Sequence, residues 1–536
     1  MKIFPVLHDS AVRLMKKTSS GPTRWIVISG MLCGTTVFCF YTGHPEWLIR
    51  VAVLGMGLFA FFFHAESATR MLISVGILGV CWFLVFYHLG DGSLYNWDEA
   101  IYAEVSKEML LSRNWASLTW NGVPFLQKPP LQFWLTAFTY KCFGINEFAV
   151  RLWPALFGFG VIALTFLIGA RLHSWSAGAA AALILASVDH AYSSYAHNLL
   201  SLARVGMLET GFIFWLTLSL LIIWESHSRP WLLAFFGIPL GLAVMTKSWP
   251  ALFAIIIAGL FSAVGTRSYR NQMKSWTVAA VFAGAIVLPW HLWELWHYKN
   301  DFIHEYLTVN LIGRVSSTIQ NNFESPFFYL DVISRGLPLW EFVLPAAYLW
   351  AMWLAFKKAS LTHRFLLIWI TVPLLALSIS QTKLSWYIIM IYPALALIVA
   401  IALTERIGSR IALSSVAVIA ALCCIRLPLP SDGSPEIKQF ANAKTELRMD
   451  KAIYTASREF PCDGPGISAY KHNYNGRWVP PALLFYIDRP IKCIEIENVQ
   501  RDLPFRKSWL VWDRRSDGSL RPVMLYQDAD SATSPR

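Results

Sequence analysis

Charged residues are scarce in this chain, 15% of its 536 positions, where a soluble domain carries about 25%. With 56% hydrophobic residues and a mean hydropathy of +0.47, that shortage excludes an ordinary water-soluble fold. Acidic residues are fewer than basic ones, 33 against 45. The resulting charge of +12 is no nucleic-acid signal, because the basic residues fall in short loops between apolar runs. Eight cysteines make no disulfide framework: Cys33, Cys39, Cys81, Cys423 and Cys424 lie in apolar runs, where a thiol behaves as a small hydrophobe. Cys462 and Cys493 fall in the polar tail and could pair in an oxidising compartment. The histidines, His291 and His297 included, form no metal-ligand spacing. No internal repeat is visible, and ionisable residues do not gather mid-run, which argues against a transporter or flippase.

What the chain has instead is a series of apolar runs of membrane-spanning length, about 20 residues each. They fall at 24–43, 46–64, 71–89, 149–170, 176–195, 207–225, 231–246, 249–265, 276–296, 337–356, 364–380, 386–404 and 410–428, about thirteen spans. The 25 tryptophans fit amphipathic rings at membrane interfaces. Residues 1–23 form a basic leader before a first run too long for a signal core. With that leader inside, Arg70, Arg171, Arg229, Arg267, Arg270, Lys274, Lys357, Lys358, Arg364, Arg406 and Arg410 all fall in inner loops. Two outer loops, 91–148 and 297–336, are too long to be connectors. Mixed apolar spacing over Tyr102–Leu111 and Phe302–Leu307 suggests interfacial helices within them.

Asp98, Glu99, Lys128, Arg204, Glu209, Lys247, Arg314 and Lys383 all fall on the outer side in this arrangement, although distant in sequence. The polar insert Tyr95–Leu131 contributes the adjacent carboxylates Asp98 and Glu99 and a lysine set before two prolines, Lys128-Pro129-Pro130. Ionisable groups at a membrane boundary are costly and usually functional. After residue 429 the chain turns polar. Short runs at Gly466–Tyr470 and Ser508–Trp512 predict strands, and Pro481–Tyr486 a helix start. The expected fold is mainly α: a polytopic helical bundle over 24–428 of about 13 spans, with a small C-terminal α/β domain over 429–536.

The first insert resembles the first outer loop of the aminoarabinose lipid A transferase and protein O-mannosyltransferase superfamily, membrane glycosyltransferases of the C-type fold. The likeness rests on Asp98-Glu99-Ala100-Ile101-Tyr102-Ala103-Glu104, Asn121-Gly122-Val123-Pro124, Lys128-Pro129-Pro130-Leu131 and Phe143 through Leu152. It continues through Ala203 to Glu209, Gly241 to Lys247, Pro289-Trp290 and Thr382 to Tyr387, covering roughly residues 70–400. It implies a polyprenyl-phosphate sugar as donor and a bacterial inner (plasma) membrane location with the site facing the periplasm. It also implies a single inverting displacement. The chain departs from the aminoarabinose branch at Gln127 and Asn310, which stand where that branch has metal ligands. Neither amide suits a zinc-like ion, so no metal and no other cofactor is expected. The second acidic position holds Glu209, one methylene longer than the usual aspartate.

The chemistry constrains the roles. An acceptor hydroxyl must attack an anomeric carbon while a phosphate leaves. A carboxylate takes the proton, and cations steady the charge on the leaving group. Asp98 is the expected base, with Glu99 and Glu209 positioning the acceptor. Lys128 and Arg314 would grip the donor phosphate, and Lys247 and Lys383 would add positive potential. Each also has a plain structural reading. Asp98 and Glu99 suit a helix N-terminus, Lys128 an interfacial anchor, and Lys247 and Lys383 helix ends where long side chains snorkel. The expected acceptor is lipid A or another envelope glycan, with protein O-glycosylation as the alternative.

Overall fold

The computed structural model describes residues 67–95, 97–187, 198–264, 272–313, 316, 324–336 and 342–421, then 433, 435, 438, 453–457, 485–486, 491–493, 509–514 and 520–526. The basic leader, the runs at 24–43 and 46–64, Arg314, Asp189, His190, Cys462 and the strand expected at 466–470 lie outside the described residues.

The chain enters with α1 (Ser67–Phe86) and then builds its first large loop. That loop holds α2 (Asp98–Ser112), a two-stranded ribbon of β1 (Thr119–Trp120) and β2 (Val123–Pro124), and α3 (Leu131–Phe143). Next come α4 (Glu147–Leu172), α5 (Trp175–Leu185), the short α6 (Leu199–Ala203) and α7 (Glu209–Ser226). A tight turn of helix at Pro230–Phe236 runs into α8 (Gly237–Lys247), and α9 (Leu252–Val264) follows. The long α10 (Met273–Phe302) continues as a wider helix over Ile303–Gly313. The bundle closes with α11 (Phe328–Gly336), α12 (Leu344–Lys357), α13 (Leu361–Ile379), α14 (Tyr392–Ile407) and α15 (Ser409–Ile419).

Among the described residues six helical stretches are long and apolar enough to cross a membrane, 147–172, 209–226, 230–247, 273–313, 361–379 and 385–407. Four shorter apolar helices accompany them, so the protein is a multi-pass membrane protein. The 385–407 stretch lies at the bundle centre, its apolar window 89% buried, whereas 273–313 lies at the edge, 17% buried. The expected division between the runs at 231–246 and 249–265 falls at Ser248, whose φ of 59° breaks the helix between Lys247 and Trp249. Close helix approach rests on small residues, as in other membrane bundles. A Cβ added to Gly178 of α5 would meet the Phe166 carbonyl of α4 at 2.2 Å, and one added to Gly158 would meet Ala203 Cβ at 2.3 Å.

Local chemistry fixes the first loop. Asn146 caps α4 by accepting from the Ala149 amide at 2.9 Å. Asn121 and Gly122 both have positive φ, 51° and 74°, which a two-residue hairpin turn requires. The ribbon is tied to α2 by Glu108, which accepts from Thr119 Oγ1 at 2.6 Å and the Gly122 amide at 3.2 Å. The helix expected at Tyr102–Leu111 is α2, but it is buried from Glu99 through Lys107 rather than bathed on one face. Tyr140 of α3 covers one side, its hydroxyl donating to the Ala103 carbonyl at 3.1 Å, and Phe485 of the tail covers another.

The tail strands β3 (Ile453–Ser457), β4 (Ile491–Cys493), β5 (Trp509–Arg514) and β6 (Leu520–Tyr526) form one mixed sheet in the order β4-β3-β5-β6. β3 runs parallel to β4 and β5, and β6 is antiparallel to β5. β5 coincides with the strand expected at Ser508–Trp512.

Candidate active site

Asp98 and Glu99 open α2, in the first turn, where the helix dipole favours carboxylates. Asp98 is half-buried and Glu99 is 1% exposed. Burying Glu99 is possible because each of its oxygens is engaged. Oε1 receives Arg151 Nε at 2.8 Å and the Gly206 amide at 2.8 Å, and Oε2 receives the Tyr95 amide at 2.8 Å. Arg151 in turn spends its remaining donors on the carbonyls of Leu89, Asp91 and Ser93 at 3.3, 2.8 and 2.8 Å. A charge in an apolar helix must be paired, and this one knits the 89–95 segment, α2 and the 204–208 turn into one unit. Glu99 was expected to position the acceptor. Both of its oxygens are engaged by the frame around Asp98. Gly206 is required by this packing, since a Cβ there would lie 2.5 Å from Val150 Cγ1 and 3.1 Å from Glu99 Cγ.

Three residues past Gly206, Glu209 starts α7. Its Oε1 lies 2.7 Å from Lys247 Nζ at the end of α8, in a pair only 5% and 9% exposed. Glu209 Oε2 is buried without a hydrogen-bond partner in the described structure. The Lys247 ammonium also sits over the Tyr387 ring, 4.5 Å from its centre. Four sequence-distant motifs therefore meet: the Asp98-Glu99 turn, the Arg204–Glu209 turn, the end of α8 and the Ser385–Tyr387 segment.

Lys128 is half-buried directly ahead of α3. Its near neighbour Leu126 packs with Met245, Trp290, Phe302 and Tyr306, which brings the Lys128 segment to the end of α8 that carries Lys247. Lys383 is buried and donates to the Ser380 carbonyl at 2.7 Å, so it caps the end of α13. Arg204 caps α1 through the carbonyls of Leu84 and Val85, at 3.2 and 2.8 Å. Burial, together with the nearby Arg151 charge, lowers its guanidinium to about 10, still cationic at neutral pH. Asn310 donates its amide to the Glu305 carbonyl at 2.7 Å, and Gln127 is buried. Neither amide is a good ligand for a zinc-like ion, so no metal is assigned here.

Beside Lys247 a cavity of about 440 Å³ opens between α9 and α10. Its walls include Val244, Leu252, Ile255, Val287, Leu292 and Leu295, with Ser248, His291 and Tyr306 as its polar members. His291 Nε2 and Tyr306 Oη lie 2.8 Å apart. Sequence reasoning gave no role to Arg151 or Tyr387. Arg151 carried a readable signal, a charge inside an apolar run; Tyr387 carried none beyond its motif. Glu294, also in an apolar run and 1% exposed, carried the same signal as Arg151.

Residues 70–306 match the dolichyl-phosphate-mannose-protein mannosyltransferase family. An undecaprenyl phosphate-alpha-4-amino-4-deoxy-L-arabinose arabinosyl transferase of Pseudomonas fluorescens is 30% identical over 357 residues, 63% of this chain and 59% of that protein. A Pseudomonas aeruginosa protein of the same description is 28% identical over 344 residues, 61% of this chain and 59% of its own length. The chain thus spans about three-fifths of the length of the curated relatives it matches. The crystal structure of ArnT from Cupriavidus metallidurans bound to undecaprenyl phosphate superposes with a TM-score of 0.62 at 16% identity, covering 83% of this chain and 94% of that one. The oligosaccharyltransferase of Archaeoglobus fulgidus, tethered with an acceptor peptide, gives 0.52 at 14% identity, covering 79% and 65%. The first-loop resemblance is thus matched by what the chain is similar to: residues 70–306 match the dolichyl-phosphate-mannose-protein mannosyltransferase family, and the chain has the fold of the ArnT structures.

Proposed function

We propose that this chain is an inverting membrane glycosyltransferase that moves a hexosyl or pentosyl group from a polyprenyl-phosphate donor to lipid A or another envelope glycan. The observation that carries the reading is the meeting of Glu209, Lys247 and Tyr387 beside the turn that bears Asp98. Carboxylates and cations gathered from separate segments are what a hydroxyl acceptor and a phosphate leaving group need together. The curated relatives act on undecaprenyl-phosphate aminoarabinose by their names, which points to the same class of donor.

In this reading Asp98 removes the acceptor proton as the hydroxyl oxygen bonds to the anomeric carbon. The carbon–phosphate oxygen bond breaks, and the lipid phosphate leaves with the electron pair. Glu209 orients the acceptor through its second oxygen, and Glu99 acts at one remove by fixing the turn. Lys128, Arg314 and Lys247 stabilise the phosphate, and Lys383 adds positive potential from the end of α13. The apolar cavity next to Lys247 accommodates the isoprenoid chain. Pro129 and Pro130 restrict the backbone behind Lys128, which lowers the entropy of aiming it.

The reading includes about thirteen spans, a site on the periplasmic face of the bacterial inner membrane, and a C-terminal α/β domain on that face. Contacts of Lys438 and Tyr486 with residues 92–147 support one side for the tail and the first loop. Asp98→Asn and Lys128→Ala are each expected to abolish transfer in vitro while leaving membrane expression intact. Near-normal turnover in either variant overturns the assignment.

A second reading, protein O-glycosylation with the same donor type, is favoured by the name of the matching family. Lipid A masses and glycoprotein profiles with and without the gene separate the two. Vesicle transport without sugar transfer would instead indicate a flippase.

A further inference from the structure

The tail returns to the first loop at the peptide units just ahead of Asp98. From inside the bundle, Arg151 and Glu99 hold the carbonyls of Leu89, Asp91 and Ser93 and the amide of Tyr95. The groups between them go to the tail. The Leu94 amide donates to Tyr486 Oη at 2.9 Å, and the Gly92 carbonyl accepts from Lys438 Nζ at 2.8 Å. The Ser93 carbonyl also accepts from the Gly433 amide at 3.2 Å. Gly433 has to be glycine for this approach, because a Cβ would fall 2.3 Å from Tyr95 Cα.

The same tail residues grip α4 and α2. Tyr486 Oη donates to Glu147 Oε1 at 3.1 Å, and Lys438 Nζ lies 2.5 Å from the same oxygen. Glu147 is one turn ahead of Arg151 on α4, so the two clamps share a helix. Phe485, 7% exposed, accepts Lys107 Nζ on its carbonyl at 3.1 Å while Lys107 pairs with Glu104 at 2.9 Å on α2. Burial and the Glu147 carboxylate push the Tyr486 hydroxyl well above its ordinary range. It therefore stays protonated at neutral pH, able to donate to Glu147 while accepting from Leu94.

We propose that Tyr486 is a positioning residue for the Asp98 carboxylate, bracing the 89–95 segment from the side that Arg151 does not reach. The proposal rests on the role given to Asp98 above. Donor binding is set elsewhere, by Lys128, Lys247 and the apolar cavity, so loss of the brace acts on the chemical step and spares affinity.

The test uses the full chain with undecaprenyl-phosphate aminoarabinose and lipid A as probe substrates. Tyr486→Phe removes one hydroxyl and keeps the ring. It is expected to lower kcat roughly 10- to 100-fold with donor KM within about two-fold, the scale of a misplacement near 1 Å. Hydrogen exchange of the 89–97 peptide is expected to quicken while α4 and α7 exchange as in the unaltered protein. Lys438→Met is expected to act in the same direction, more weakly. Unchanged kcat in Tyr486→Phe overturns the proposal, and so does faster exchange throughout the helices with kcat and KM moving together. If the unaltered chain transfers no sugar from this or any other polyprenyl-phosphate donor, the proposed function falls. Exchange then decides the brace alone: quickening confined to 89–97 upholds it, and no change ends it.

Discussion

Arg151 shows how one side chain can organise a site it does not enter. It is fully buried, it pairs with Glu99, and it satisfies three carbonyls of the segment leading to Asp98. Removing one partner of a buried pair strands the other charge, at about 3–5 kcal/mol. Glu99→Gln and Arg151→Met should each lose stability on that scale in denaturant unfolding in detergent. The double variant should lose less than the sum of the two, because neither charge is left alone. Glu209 and Lys247 give a sharper contrast, because here the pair also faces the proposed chemistry. Glu209→Gln/Lys247→Met should recover folded yield relative to Lys247→Met and still fail to transfer sugar. Recovery of turnover in the double variant would make this pair structural.

At the scale of elements, the bundle depends on how closely α4 and α5 approach. Gly169 and Gly178 face each other, and a Cβ on Gly169 would come within 2.6 Å of Gly178 Cα. Gly178→Val therefore forces the helices apart and should cost about 1–3 kcal/mol, as overpacking does elsewhere. Among the described residues nothing lies within 4 Å of a Cβ added to Gly79 of α1, so Gly79→Ala should leave thermal stability unchanged or slightly raised. The two measurements together separate loss of close packing from any general intolerance of helix glycines. α2 teaches a related point. Its sequence has mixed polarity and reads as a helix lying at an interface, yet protein covers it on nearly every side. Glu99 and Lys107 are buried because partners from α4 and the tail reach them, and those partners are far away in sequence.

For the whole molecule, the contacts of Lys438, Phe485 and Tyr486 require the tail and the first loop to share one side of the membrane. Cys142, exposed at the end of α3, is a native reporter of that side. In chains carrying one cysteine each, an impermeant maleimide applied to spheroplasts should label Cys142 and Ser534→Cys and spare Arg267→Cys. Labelling of Arg267→Cys with Cys142 protected would invert the orientation drawn from the basic loops.

The sequence alone determined the class of this protein, because apolar run length and the shortage of charge are summed locally and need no fold. It also located the first loop, since a polar insert between apolar runs, carrying Asp98-Glu99 and Lys128-Pro129-Pro130, is visible from neighbouring residues alone. It placed Asp98, Glu99, Glu209 and Lys247 in one region by topology, and the structure pairs two of them directly. What only the tertiary structure decided is which charges are tied into the frame. Glu99 and Asp98 are adjacent and chemically alike, and nothing local distinguishes them. The difference arises because Arg151 and the Gly206 amide, 52 and 107 residues away, converge on one carboxylate. Tyr486 is the extreme case: an ordinary tyrosine in a polar tail gains its place from a contact 392 residues distant, with the Leu94 amide.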